Sequence, residues 1–212
     1  MVSQTEVTIK RLFDMLVALV GLFLLSPVMG SISLLIFVYM GSPILFRQKR
    51  PGWNCEPFVL LKFRTMNEVR DEKGRLQDDD RRLTRLGHFL RRWSLDELPQ
   101  LINVIKGELS LVGPRPLLME YLDRYSPEQL RRHEVKPGIT GWTQVKGRNA
   151  LTWEEKFAFD VWYVDNWSLL LDAKILLLTV ITVLNGKGIS HQDQITMPEF
   201  FGTKENTTRK ET

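Results

Sequence analysis

The stretch MLVALVGLFLLSPVMGSISLLIFVYMGSPILF, residues 15–46, decides how this chain folds. Its 32 residues include no Asp, Glu, Lys or Arg. As one helix rising about 1.5 Å per residue, the stretch would be roughly 48 Å long, whereas the hydrocarbon core of a bilayer is about 30 Å thick. The stretch is therefore too long for one comfortable membrane span and too short for two.

Two further features of this stretch predict a re-entrant helical hairpin. Pro27 lacks a backbone donor and clashes with the preceding turn, so we expect a bend at the Ser26–Pro27 pair. Basic residues flank both ends of the stretch, namely Lys10, Arg11, Arg47, Lys49 and Arg50. Because basic flanks mark the cytoplasmic side, both ends are expected at the cytoplasmic face of the inner membrane. A single tilted span with a proline kink is the main alternative.

A second apolar stretch, residues 169–184, follows a group of aromatic residues. These are Trp153, Trp162, Tyr163 and Trp167. Amphipathic aromatic rings favour the headgroup level, so we predict amphipathic helices that lie in the interface and contact membrane phospholipid. The alternative is that these rings belong to the core. The fold class expected is a mainly α monotopic membrane protein with a small β region.

Composition limits the class of partner. The chain has 29 Lys and Arg against 25 Asp and Glu, a formal net charge of +4. This excess suits an anionic partner such as a phospholipid headgroup, a nucleotide or a phosphate ester. The single cysteine, Cys55, excludes an intramolecular disulfide framework. The sequence has neither a basic stripe nor a reading motif, so we expect no nucleic-acid partner.

Lys62 and Arg64 are the first candidates for phosphate binding. They lie in residues 53–67, which we interpret as a short hairpin or strand region. Alternate residues of a strand share one face, which would bring the two cationic groups side by side. A solvated edge strand protected by charge is an equally good interpretation.

Arg115 and Arg148 are further candidates for phosphate contacts. Arg115 stands between Pro114 and Pro116. The two prolines fix the backbone and pre-aim a planar guanidinium that binds phosphate oxygens in pairs. Arg148 follows a Pro-Gly turn at residues 137–138. Several cations are thus available to a phosphorylated substrate.

The segment SLDELPQL, residues 94–101, places Asp96 and Glu97 side by side. One interpretation is a capping box, in which Ser94 and Glu97 cap a helix. Because proline prefers the first helical position, the helix is alternatively expected to begin at Pro99, with both carboxylates in the preceding turn. Adjacent carboxylates repel each other unless a cation lies nearby, and near a diphosphate that cation is usually Mg²⁺. The helix dipole is expected to keep Asp96 ionised.

Taken together, five segments resemble the motifs of the small monotopic phosphoglycosyl transferases, or bacterial sugar transferases. They are residues 10–14, 62–66, 94–101, 110–116 and 136–145. The resemblance covers the chain from Lys10 to about Phe201. Its most specific part is LDELPQL, residues 95–101, followed by GPRP, residues 113–116.

This resemblance implies an enzyme that transfers a sugar 1-phosphate from a UDP-sugar to undecaprenyl phosphate, the first membrane step of glycoconjugate synthesis. It implies a catalytic dyad of Asp96 and Glu97, and a Mg²⁺ requirement. We predict that Asp96 attacks the β-phosphorus, forming a phosphosugar-aspartyl intermediate and releasing UMP. Mg²⁺ would be held by Glu97 beside Asp96, or Glu97 would act as the base for the lipid phosphate.

The domain organisation expected is a re-entrant membrane helix at residues 1–50, a cytosol-facing catalytic domain at 51–202 and a polar tail at 203–212. Residues 188–190 and 196–202 resemble family members that act on UDP-linked N-acetylated amino sugars. Two alternatives remain open. The first is a sugar transferase that releases UDP instead of UMP, and the second is a non-catalytic membrane scaffold or anionic-lipid-binding module.

Overall fold

The computed structural model describes residues 3–147, 150–185 and 199–202. Most of this part is helical, with two small two-stranded sheets, so the prediction of a mainly α protein with a small β region is confirmed. In chain order, the elements are α1 (Gln4–Met40), β1 (Leu45–Pro51), β2 (Pro57–Phe63), α2 (Asp79–Arg82), α3 (Arg85–Arg92), α4 (Gln100–Lys106), β3 (Ser110–Val112), α5 (Pro127–Leu130), β4 (Gly138–Thr140), α6 (Trp142–Lys146), α7 (Trp153–Asn166) and α8 (Leu169–Asn185).

The apolar stretch forms most of α1, a single helix of 37 residues. Ser3 and Glu6 form a capping box at its start, each side chain accepting a hydrogen bond from the backbone of the other. Within the described ranges, α1 is the one helix that is long and apolar enough to cross a membrane, by length and composition alone.

Pro27 lies inside α1 and does not interrupt it. Proline has no N–H to donate to the carbonyl of Phe23, one turn earlier. The hydroxyl of Ser26 donates to that carbonyl instead, at 2.8 Å. An unpaired carbonyl would be costly in an apolar environment, so the Ser-Pro pair lets the helix pass through the proline. The two helical arms predicted on either side of Pro27 are thus parts of one helix, and the re-entrant path stays a prediction.

One stripe of α1 packs against the rest of the protein. Asp14, Ala18, Ile32 and Ile36 are buried and recur at helical spacing. The other faces carry exposed large apolar side chains, among them Phe23, which is 79% exposed. An apolar surface of this extent indicates contact with a partner or a membrane.

The predicted hairpin region contains an antiparallel pair, in which β1 and β2 align with Leu45 opposite Phe63. The amide of Asn103 on α4 covers the outer edge of β2. Its nitrogen donates to the carbonyl of Val59 at 2.8 Å, and its oxygen accepts from the N–H of Leu61 at 3.1 Å. The solvated-edge interpretation is therefore wrong, because α4 satisfies this edge from within the fold.

The second sheet pairs β3 and β4 in parallel, with Ser110 opposite Gly138 and Val112 opposite Thr140. The backbones approach so closely here that a Cβ atom on Gly138 would lie 2.1 Å from the nitrogen of Gly113. A side chain at this position would force the two strands apart. The pairing brings the loop after β3 against the loop before β4.

The second apolar stretch forms α8, and the aromatic residues before it fall mostly on α7. Tyr163 is only 1% exposed, so for this ring the core interpretation is confirmed. Its hydroxyl donates to Asp172 at 2.7 Å, and the ammonium of Lys10 donates to the same carboxylate at 2.5 Å. The Asp172 carboxylate thereby ties α8 to α1. Placement of α7 and α8 at the membrane interface stays a prediction.

Candidate active site

The two adjacent carboxylates lie in a short 3-10 turn, Leu95–Glu97, directly before α4. Ser94 precedes the turn in a left-handed conformation, with φ of 55°, and its side chain makes no capping hydrogen bond. The capping-box interpretation is therefore wrong. Pro99 is the residue before the first residue of α4, within one position of the expected helix start. The alternative that left both carboxylates in the preceding turn is confirmed.

Glu97 is held by two cations. The ammonium of Lys62 lies 2.8 Å from Oε1, and Nη1 of Arg115 donates to Oε2 at 3.2 Å. Nη2 of Arg115 also donates to Oε1. Burial acts to raise the pKa of Glu97, but Arg115 and Lys62 outweigh it and hold the pKa well below its ordinary value. Glu97 is therefore an ionised group with both oxygens engaged.

Asp96 lies beside this cluster in a different environment. It is 7% exposed, and within the described residues its carboxylate accepts no hydrogen bond. Burial and the charge of Glu97 raise its pKa, while Lys62 and Arg91 act in the opposite direction. Burial thus opposes the ionised form that the helix dipole was expected to favour, and ionisation of Asp96 at neutral pH stays a prediction. Asp96 is thus a poorly solvated carboxylate with unpaired oxygens.

The structure brings Lys62 and Arg115 together at Glu97, but it does not bring Arg64 there. The guanidinium of Arg64 donates to the carbonyl oxygens of Met40 and Gly41, the latter at 2.7 Å, at the end of α1. Cationic side chains commonly pair with the last carbonyls of a helix. The predicted contact of Arg64 with a phosphate has no support in this arrangement. Arg148 lies outside the described residues.

Arg91 on α3 was missed in the sequence. Its guanidinium donates to Oγ1 of Thr65 at 3.1 Å, and it interacts electrostatically with both Asp96 and Glu97. Gly87 allows this approach, since a Cβ atom there would lie 2.0 Å from the carbonyl oxygen of Thr65. The sequence showed several arginines around α3 but no signal that separated this one from the others.

The loop that carries Arg115 is fixed by hydrogen bonds to its backbone carbonyl groups. The carbonyl of Pro114 accepts from the N–H of Gly138 at 3.0 Å. The carbonyl of Arg115 accepts from Nη2 of Arg132 at 2.7 Å. Arg132 is itself buried and paired with Asp160 at 2.6 Å. The orientation of Arg115 thus depends on this buried pair as well as on the two flanking prolines, whose effect on the backbone was predicted from the sequence.

The fit of this site to Mg²⁺ differs between the two carboxylates. Mg²⁺ usually binds one or two protein carboxylates and completes its six ligands with phosphate oxygens and water. Asp96 fits such a site because no described residue donates a hydrogen bond to its oxygens. Glu97 does not fit it in this arrangement, because two cations occupy its oxygens. In the described ranges, no group of three or more His, Cys, Asp or Glu side chains is placed to hold a metal.

Comparison with known proteins adds to this geometry. A family model described as bacterial sugar transferase matches residues 5–186. The chain is 54% identical over 195 residues to an uncharacterized sugar transferase, EpsL, of Bacillus subtilis, covering 92% of this chain and 96% of that protein.

Two further relatives are named for the reaction they catalyse. The chain is 41% identical over 182 residues to the UDP-glucose:undecaprenyl-phosphate glucose-1-phosphate transferase of Escherichia coli, covering 81% of this chain and 39% of that one. It is 39% identical over 188 residues to the UDP-N-acetylgalactosamine-undecaprenyl-phosphate N-acetylgalactosaminephosphotransferase of Aeromonas hydrophila, covering 85% of this chain and 44% of that one. The chain thus spans less than half the length of these two relatives.

Proposed function

The chain belongs to the bacterial sugar transferase family, and we propose that this transferase moves a sugar 1-phosphate from a UDP-sugar to undecaprenyl phosphate, releasing UMP. The observation that carries the proposal is the contrast within the dyad. Asp96 is buried without a hydrogen bond, whereas Glu97 beside it is clamped by Lys62 and Arg115. The names of the Escherichia coli and Aeromonas hydrophila relatives support both the donor class and the lipid acceptor.

The proposed reaction has two displacements at one phosphorus atom. A carboxylate oxygen of Asp96 attacks the β-phosphorus, and the bond from that phosphorus to the bridging oxygen breaks. UMP leaves with the bonding electron pair, and the sugar phosphate stays on Asp96. An oxygen of undecaprenyl phosphate then attacks the same phosphorus and releases the carboxylate. A positioned nucleophile divides one difficult transfer into two easier ones.

The cations beside Glu97 offset the negative charge that the phosphates bring and that the leaving group gains. Glu97 fixes Lys62 and Arg115 in place for this task. Its lowered pKa makes it a weak base, so the arrangement favours the positioning role over proton transfer from the lipid phosphate. Mg²⁺, when bound, would supply further charge neutralisation on the diphosphate, and Asp96 is the carboxylate available to hold it.

The proposed membrane topology is supported by the contacts at the two ends of α1. Near its start, the guanidinium of Arg11 donates to the carbonyl of Ile105 at 2.7 Å. At its end, the carbonyl of Gly41 accepts from Arg64. A straight helix between these ends would be about 43 Å long. The two anchoring segments adjoin each other, because Asn103 is hydrogen-bonded to Leu61. A bent, re-entrant α1 at the cytoplasmic face of the inner membrane would let both of its ends keep these contacts, at Ile105 and at Arg64.

Topology can be checked with reporter tags placed at residue 1 and directly after Arg50. Both tags are expected in the cytoplasm, because both flanks of the apolar stretch are basic and attach to the same body. Replacing Pro27 with Leu restores the missing backbone donor, so part of the population should shift to a membrane-spanning form. A periplasmic tag at residue 1 of the unaltered protein would contradict the re-entrant proposal.

The proposed donor is a UDP-linked N-acetylated amino sugar. It was predicted from residues 188–190 and 196–202, of which 188–190 and 196–198 lie outside the described residues. Relatives that are 39–41% identical to this chain are named for glucose, galactose or N-acetylgalactosamine donors. Incubating the purified protein with undecaprenyl phosphate and a panel of UDP-sugars should release UMP with an acetamido sugar. Release of UDP would favour the alternative transferase, and turnover of UDP-glucose or UDP-galactose alone would refute the proposed donor.

A further inference from the structure

A small cavity adjoins the ion pairs of Glu97. The side chains that line it are Arg50, Leu60, Lys62, Gln100, Arg115 and Pro116. Lys62 and Arg115 already have a place in the proposed function. Arg50 and Gln100 have none, although both have polar groups in this wall.

Gln100 is the more informative of the two. It is 2% exposed and opens α4, directly after the turn that carries the dyad. Within the described part of the chain, its side-chain amide makes no hydrogen bond to another residue, yet it is not among the fully buried unpaired groups. Because Gln100 lines the cavity, its amide is open there and available to a group that enters the cavity.

Arg50 faces the cavity from β1. Its Nη2 donates to the side-chain oxygen of Gln48 at 2.6 Å, while its buried Nε has no hydrogen-bond acceptor. Burial, with the charge of Arg115 nearby, lowers the pKa of Arg50 to about 10. The guanidinium thus lies near another guanidinium, and its buried Nε–H has no acceptor. An anion between the two guanidinium groups would reduce their mutual repulsion and would also accept a hydrogen bond from Nε of Arg50.

The charge balance of the wall points the same way. Arg50, Lys62 and Arg115 contribute three cations, and Glu97 is the carboxylate paired with two of them. A phosphate group offers several acceptor oxygens and up to two negative charges. It would accept from Nε of Arg50 and from the amide nitrogen of Gln100 while balancing the excess positive charge.

We propose that this cavity is a phosphate subsite and that Arg50 and Gln100 contact the bound phosphate. The proposal rests on the proposed function for the origin of that phosphate, which is either the nucleotide phosphate that leaves in UMP or the phosphate of the polyprenyl acceptor. Both present the same chemistry to the wall. The subsite would hold a phosphate that is not itself under attack, next to the β-phosphorus that Asp96 reaches.

The test uses the full-length protein with Gln100→Glu and Arg50→Gln. Gln100→Glu keeps the shape of the side chain and places a carboxylate near Arg50 but also near Asp96 and Glu97, so thermal stability is measured beside binding to confirm that the variant folds. The same carboxylate repels a phosphate, so affinity should fall at least about tenfold. Arg50→Gln removes one cation and should also weaken binding. Lys49→Gln is the matched control, because Lys49 is exposed on the same strand and lies outside the cavity.

Equilibrium binding of UMP, undecaprenyl phosphate and inorganic phosphate is measured separately for each variant. Weaker UMP binding assigns the subsite to the nucleotide phosphate, and weaker undecaprenyl phosphate binding assigns it to the acceptor. If only inorganic phosphate binds and both cavity variants weaken it, the subsite stands while the proposed function fails. Unchanged affinity for all three probes in both cavity variants overturns the proposal, as does an equal loss in Lys49→Gln.

Discussion

Replacing Asp96 with Asn is expected to yield a folded protein that forms no phosphosugar adduct and whose turnover falls by orders of magnitude. The amide keeps the shape of the side chain but has no anionic oxygen to attack phosphorus. Because burial and Glu97 raise the pKa of Asp96, its ionised form is already unfavourable in the fold. A neutral Asn is therefore expected to leave stability unchanged or higher, which separates chemical loss from unfolding.

Intact mass measures the adduct directly. The unaltered protein, mixed with its UDP-sugar and no acceptor, should gain the mass of one sugar phosphate, and Asp96→Asn should gain nothing. Steady-state kinetics should be ping-pong, since UMP leaves before the lipid phosphate reacts. UMP release that strictly requires the lipid acceptor would argue for direct transfer and against the covalent intermediate.

Replacing Asp160 with Ala is expected to destabilise the protein by about 3–5 kcal/mol, the usual cost of leaving one member of a buried ion pair behind. Arg132 is 2% exposed, and it donates to Asp160 through Nε at 3.1 Å and Nη2 at 2.6 Å. Thr143 donates to the other oxygen at 2.5 Å. Without Asp160 the guanidinium stays buried with no counter-charge.

The free energy of unfolding, measured by denaturant titration in detergent, checks this expectation. Asp165→Ala is the matched control, because Asp165 pairs with the neighbouring Arg131 at the surface, where solvent screens the charges. Its effect should be much smaller. Because Arg132 also holds the carbonyl of Arg115, Asp160→Ala should lower activity in the folded fraction too. An equal loss of stability in both variants would refute the buried-pair account.

Features governed by local backbone chemistry were predictable from the sequence. Proline favours the first position of a helix, so Pro99 predicted a helix start that places Asp96 and Glu97 in the turn before α4. Pro27 predicted a disturbance of the apolar helix because proline lacks a backbone donor. The sequence rule did not anticipate that the hydroxyl of Ser26 would take over the freed carbonyl, since a serine in an apolar stretch has several possible partners.

Features that depend on distant residues were not predictable. Lys62 and Arg64 look equivalent on a strand, yet one reaches Glu97 and the other reaches the end of α1. The difference is set by which element packs on each side of β2. Arg50 and Gln100 likewise meet in one cavity although 50 residues separate them in sequence. The spacing of residues in one sequence indicates which side chains are neighbours on the same helix or strand. It does not indicate which residues of different elements come into contact.

The contact between Lys10 and Asp172 also orders events in time. The two residues are 162 positions apart, so Lys10 leaves the ribosome long before Asp172 is made. During that interval the carboxylate near it is that of Asp14 on the same helix, 4.0 Å away. Under the proposed topology, Lys10 then helps to retain the amino terminus on the cytoplasmic side while the apolar helix enters the bilayer. The ion pair forms only once α8 has been synthesised. Under that topology, the same ammonium group serves first as an orientation signal and later as the ion-pair partner that attaches α8 to α1.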